Sequence, residues 1–143
     1  MKVGIASDHR GYELKQKILK DMPELIDYGT SSTESTDYPI YAIKIGEEIR
    51  KGNIDFGILI CGSGIGMSIA CNKVRGVRCA KIDNVDEAEI TRKDNDANVI
   101  SFSEKHSVEE ATRMINTFLT TPFNTEEKYR RRVNQIKDYE EQW

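Results

Sequence analysis

The stretch Phe56-Gly57-Ile58-Leu59-Ile60-Cys61-Gly62-Ser63-Gly64-Ile65-Gly66-Met67-Ser68 decides the architecture. Residues 56–60 are a continuous apolar run, suited to the centre of a sheet covered on both faces. A glycine-rich turn follows, and the spacing beyond it predicts a helix over 65–74. On the N-terminal side, 3–6 and 25–28 read as strands, and on the C-terminal side 77–82 and 98–102 do. Between them the pattern turns helical. Leu14, Ile18 and Leu19 share a face over 11–21, and Ala42, Ile45 and Ile49 follow Pro39 in a helix that Gly52 ends. A further helix is expected over 85–94. Ser107-Val108-Glu109-Glu110 has capping-box spacing ahead of the stripe Val108, Ala111, Ile115 and Phe118, which Pro122 breaks. A polar helix over 125–139 closes the chain. Five strands separated by helices predict a three-layer α/β/α sandwich, Rossmann-like, with a five-stranded parallel sheet and a C-terminal helix. No repeat or linker divides residues 1–143, which are expected to form one domain.

Composition narrows the function class. The chain has 143 residues, 38 % hydrophobic and 31 % charged, a globular rather than a disordered balance. Its formal charge of 21 − 24 = −3 carries no basic excess, which argues against a nucleic-acid binder. No apolar run approaches the roughly 20 residues needed to cross a bilayer, and the apolar stretch at the start is too short for a signal peptide. Cys61, Cys71 and Cys79 cannot all pair, and none sits in a C-x-x-C. A reduced, cytoplasmic protein without structural zinc is the expectation. Cys71, inside a helix, and Cys79, within a strand, read as packing residues.

Cys61 reads differently, because open α/β sheets bind ligands at the carboxyl ends of their strands. Glycines let the backbone approach a ligand, and free N–H groups of a first helical turn favour an anion and a thiolate. A thiolate beside such donors suits proton abstraction next to a carbonyl, with the enolate oxygen held as its charge develops. The plain alternative is a small buried cysteine at a strand end, with glycines that only shape the turn. Dinucleotide binding is a second alternative, with Asp83 as the ribose-binding acid. It fits poorly: Gly62, Gly64 and Gly66 form G-x-G-x-G on the third strand rather than the first. Ser7-Asp8-His9-Arg10-Gly11 follows the first strand and would share the sheet edge of Cys61. His9 there is a candidate for an oxyanion, whereas His106 has no chemical role assigned. Lys128 and Arg132 lie four apart on the last helix and could hold a phosphate, although a solvated charge run is the commoner reason for such a pattern.

The chain resembles the ribose-5-phosphate isomerase B family, which also includes galactose-6-phosphate isomerase subunits. The resemblance is carried by Ser7-Asp8-His9, Asp27-Tyr28-Gly29-Thr30, Thr36-Asp37-Tyr38-Pro39, Ile60-Cys61-Gly62-Ser63-Gly64-Ile65-Gly66, Ala70, Asn72-Lys73-Val74, Asn95-Asp96-Ala97-Asn98-Val99 and the terminal Arg-Arg-Val. It implies an aldose–ketose isomerase without metal or cofactor, acting on a sugar phosphate through an enediolate. Carried over, Cys61 is the base, Ser63 handles protons at the sugar hydroxyls, and the N–H groups of Gly62 through Gly66 form the anion hole. His9 and Arg132 match phosphate contacts, and Asp8, Tyr38 and Asn95 match sugar-binding positions. Three positions depart from the pattern. Asp94 stands where the family has its ring-opening histidine, and Lys105 and Lys128 stand where arginines often bind phosphate. Lysine keeps the charge but loses the planar two-pronged donor. Family members are dimers or tetramers with sites shared between subunits, so a homodimer or homotetramer is implied. Ribose 5-phosphate and ribulose 5-phosphate are the favoured pair. Allose or galactose 6-phosphate, and a non-catalytic phosphosugar-binding module, remain the alternatives.

Overall fold

The apolar run at 56–60 does form the middle of a sheet. The computed structural model describes residues 1–143. Its elements are β1 (Val3–Ser7), α1 (Tyr12–Asp21), β2 (Ile26–Asp27), α2 (Tyr38–Arg50), β3 (Phe56–Cys61), α3 (Ile65–Cys71), β4 (Cys79–Lys81), α4 (Val85–Asn95), β5 (Val99–Ser103), α5 (Val108–Thr120) and α6 (Glu127–Glu140). The five strands are all parallel, in the order β2-β1-β3-β5-β4. The fold is the expected three-layer α/β/α sandwich.

Strand alternation divides the core. Ile5, Ile58, Ile60, Ile100 and Phe102 face α1, α4 and α5, where Ile18, Ala88, Met114 and Phe118 are buried. Ala6, Leu59, Cys61 and Val99 face the other way, onto Ala42 and Ile45 of α2 and Met67 and Cys71 of α3. Burial of the Ile, Leu, Val, Met and Phe side chains among these contributes roughly 1.5–3 kcal/mol each. Hydrogen bonding to Cys79, with burial, pushes the Cys71 thiol well above its ordinary range.

The two strands that are shorter than the sequence predicts, β2 and β4, are the edges of the sheet, each with one neighbour to pair with. The helix expected over 65–74 stops at Cys71 because Asn72 turns the chain toward β4. Its amide donates to the Cys79 carbonyl at 2.9 Å and its side-chain oxygen accepts the Cys79 N–H at 2.7 Å. Packed against each other, α2 and α3 leave Ile40, Ile43, Ile65 and Ile69 between 45 % and 59 % exposed on their outer surfaces. No helix is long and apolar enough to cross a membrane.

Candidate active site

The chain leaves β1 toward one side of the sheet, and β3 lies on the other side of β1, so a crevice opens beyond their carboxyl ends. Ser7 is in register with Ile60, and the Asp8 N–H donates to the Ile60 carbonyl at 3.3 Å. A cavity of about 500 Å³ sits there, lined by Asp8, His9, Arg10, Tyr38, Cys61, Gly62, Ser63, Gly66 and Lys105. Eight of these nine are residues singled out from sequence; Arg10 is the ninth.

The turn after β3 is held from behind. Ser101 and Ser103 stand on β5, the neighbour of β3, and their hydroxyls donate to the carbonyls of Gly64 and Gly62, each at 2.7 Å. Gly64 has φ +82°, and a β-carbon there would lie 2.8 Å from the Phe102 backbone, so only glycine fits. The Gly64 N–H donates to the Cys61 sulfur at 3.1 Å, and the Ile65 N–H to the Ser63 hydroxyl at 3.1 Å. The N–H groups of Gly62, Ser63 and Gly66 have no acceptor in the chain. With the carbonyls drawn toward β5, the turn presents a buried thiol beside unspent donors, an arrangement suited to an oxyanion. The Tyr38 ring closes the cavity against Gly66.

The opposite wall comes from the loops after β1 and β2. Asp8 is buried, and its Oδ1 accepts the N–H groups of Arg10 and Gly11 at 3.0 and 3.1 Å. His9 Nδ1 accepts the Thr36 N–H at 3.2 Å and lies equally close to the Thr36 carbonyl. Thr36 in turn meets the Tyr41 hydroxyl at 3.3 Å, and hydrogen bonds from Thr30 and Thr36 hold that phenol below its ordinary range. The loop is anchored by Lys15, a fully buried lysine on α1. Its ammonium donates to Asp27 at 2.6 Å and to the Thr30 carbonyl at 2.7 Å, beside the Tyr12 ring.

Four of the residues singled out from sequence lie elsewhere. Asn95 and Arg132 line a separate cavity of about 600 Å³, among residues of β4, α4 and α6. Asp94 is half-buried on α4 and reaches neither cavity. Lys128 is exposed, its ammonium 5.1 Å from the Tyr129 ring centre and 3.9 Å from Glu126. A single phosphate site built from Lys105, Lys128 and Arg132 is therefore not formed within one chain. The reason is the docking of α6, which buries Val133, places Glu140 to accept the Gly76 N–H at 3.1 Å, and lies beside edge strand β4 rather than over β3.

A family model described as Ribose/Galactose Isomerase matches residues 3–136. The chain belongs to the ribose/galactose isomerase family. Among its relatives, ribose-5-phosphate isomerase B of Escherichia coli is 40 % identical over 80 % of this chain and 79 % of its own length. The solved ribose-5-phosphate isomerase B of Clostridium thermocellum is 39 % identical with a TM-score of 0.94, covering 99 % of each chain. That of Mycoplasma genitalium, solved with bound ribulose-5-phosphate, is 32 % identical with a TM-score of 0.92, covering 99 % of this chain and 97 % of its own.

In this member of the isomerase family, sequence reasoning did not single out Arg10, Lys15, Ser101 or Ser103. The two serines carry a signal, since they stand two apart in the otherwise apolar Val99-Ile100-Ser101-Phe102-Ser103 and so share one face of a strand. Lys15 carries none, because a lysine between apolar helix positions reads as solvated.

Proposed function

We propose that the chain interconverts ribose 5-phosphate and ribulose 5-phosphate, with Cys61 as the base. The observation that carries this reading is the buried Cys61 thiol at the head of the Gly62–Gly66 donors, inside a polar cavity beyond β1 and β3. The bound ribulose-5-phosphate of the Mycoplasma genitalium relative supports the choice of substrate. In the open-chain aldose, the Cys61 thiolate takes the C2 proton. The C–H electron pair becomes the C1–C2 double bond, and the carbonyl electrons move onto O1, where the free N–H groups hold the charge. Returning the proton from sulfur to C1, while the O2 proton passes to O1 through the Ser63 hydroxyl, leaves the ketose.

The working unit in this reading is a dimer or larger assembly. A second copy brings Asp94, Asn95, Lys128 and Arg132 to the Cys61 cavity, where Arg132 joins His9 and Lys105 at the phosphate. Asp94 accepts the anomeric proton, and Asp8 and Tyr38 hold sugar hydroxyls. The exposed isoleucines of α2 and α3 favour such an assembly, because water is a poor partner for that surface.

The test is a turnover panel with ribose 5-phosphate, allose 6-phosphate and galactose 6-phosphate, run with EDTA on wild type and Cys61→Ala. Turnover of the five-carbon substrate that disappears in the variant, with sugar-phosphate binding retained, is expected. Substantial turnover by Cys61→Ala would exclude the thiol as base, and inactivity of wild type on all three would favour a binding module.

A further inference from the structure

Arg10 was not among the residues singled out from sequence, yet it is held in place by the same contacts that build the site. Asp8 Oδ1 accepts its backbone N–H at 3.0 Å. The next residue, Gly11, is pressed so closely on the end of β3 that a β-carbon there would lie 2.6 Å from the Ile60 carbonyl. Arg10 therefore starts at the rim of the Cys61 cavity, and its guanidinium crosses Gly62, 3.3 Å from where a β-carbon on that glycine would stand. Its one side-chain partner is Glu104 Oε1, at 3.5 Å. That is long beside the roughly 2.7–2.9 Å of a firm charge-assisted bond, so most of its five N–H donors are unspent. Glu104 is fixed to the same strand end, its N–H donating to the Cys61 carbonyl at 2.9 Å. Lys105, also on the cavity wall, forms no ion pair.

From these contacts we infer that Arg10 is a substrate-binding residue of this site, the planar two-pronged donor that grips the sugar's phosphate beside Lys105, with Glu104 holding it ready until the anion arrives. The inference rests on the isomerase reading for the identity of the sugar, but not for the anion. A guanidinium offers two parallel N–H bonds to a phosphate, where the ammonium of Lys105 offers only a point charge. Release of Glu104 costs little, because the pair is long and the Arg10 side chain is 56 % exposed.

Calorimetric titration with inorganic phosphate and with ribose 5-phosphate tests it, using wild type, Arg10→Ala, Arg10→Lys, Glu104→Gln and the Arg10→Ala/Glu104→Gln pair. Arg10→Ala should weaken both ligands by roughly tenfold or more, as expected for loss of charge-assisted hydrogen bonds. Arg10→Lys should recover only part of that loss. Glu104→Gln should tighten phosphate about threefold where Arg10 is present and not at all in the pair, the signature of coupling through Arg10. In turnover, the loss should fall on KM, with kcat within about threefold. Equal phosphate affinity in wild type and Arg10→Ala, or equally absent binding, would overturn the role of Arg10 whatever the turnover. Phosphate binding lost in Arg10→Ala, in a wild type that isomerises nothing, would uphold Arg10 and overturn the isomerase reading alone.

Discussion

The turn after β3 and the α4–α6 side carry the two halves of the expected site, and they are built in opposite ways. Around Cys61 nearly every group is positioned from within the chain. Ser101 and Ser103 hold the turn's carbonyls, Asp8 holds the loop after β1, and Lys15 holds the loop after β2. On the other side Asp94, Asn95, Lys128 and Arg132 stand on helix surfaces, three of them exposed, with no partner from the Cys61 wall. A half-site locked by buried hydrogen bonds is ready before substrate arrives, which is what charge stabilisation requires. A half-site left open at the surface gains its geometry only from something brought to it. The two halves should therefore respond differently to substitution.

The open half should lose turnover without losing stability. Arg132→Ala should lower kcat/KM for ribose 5-phosphate roughly a hundredfold, about 2.7 kcal/mol, while the melting temperature stays near that of wild type. Steady-state kinetics with thermal unfolding would check both arms. The locked half should show the reverse coupling at Lys15. Lys15→Ala removes a buried charge that serves Asp27 and Thr30, and should cost about 3 kcal/mol of folding stability in denaturant titrations. Activity should fall with it as the loop after β2, which carries the Thr36 contact to His9, loosens. The smallest effect belongs to Asp94. Asp94→His supplies a group that can both accept and donate a proton near neutral pH, and should raise turnover of the cyclic aldose several-fold without changing that of the open-chain ketose. An equal gain on both would remove ring opening from that position.

The sequence reading follows the same division. The run at 56–60 and the glycine turn point to the locked half, because an apolar strand marks the sheet centre and ligands bind at the carboxyl ends of such strands. The strand order was not legible, and with it the adjacency of β5 to β3 that gives Ser101 and Ser103 their work. Burial of Lys15 was hidden for a similar reason, since its partners lie 12 and 15 residues away, at the end of β2 and in the loop after it. Periodicity reports which face a residue takes, not what a distant loop will place there. Arg132 and Lys128 were legible as cations on one helix face, but nothing in their spacing says that α6 docks beside β4, away from Cys61.

Mixing two defective chains tests most directly whether the open half of one copy completes the locked half of another. Cys61→Ala and Arg132→Ala, each carrying a different tag, are co-refolded in equal amounts, and turnover of ribose 5-phosphate is compared with each variant alone. In a dimer with shared sites, half of the pairs are mixed and each mixed pair holds one intact site of two, so roughly a quarter of wild-type turnover should return. A mixture no more active than the sum of its parts would contradict the account, and would place Arg132 outside the reaction centre.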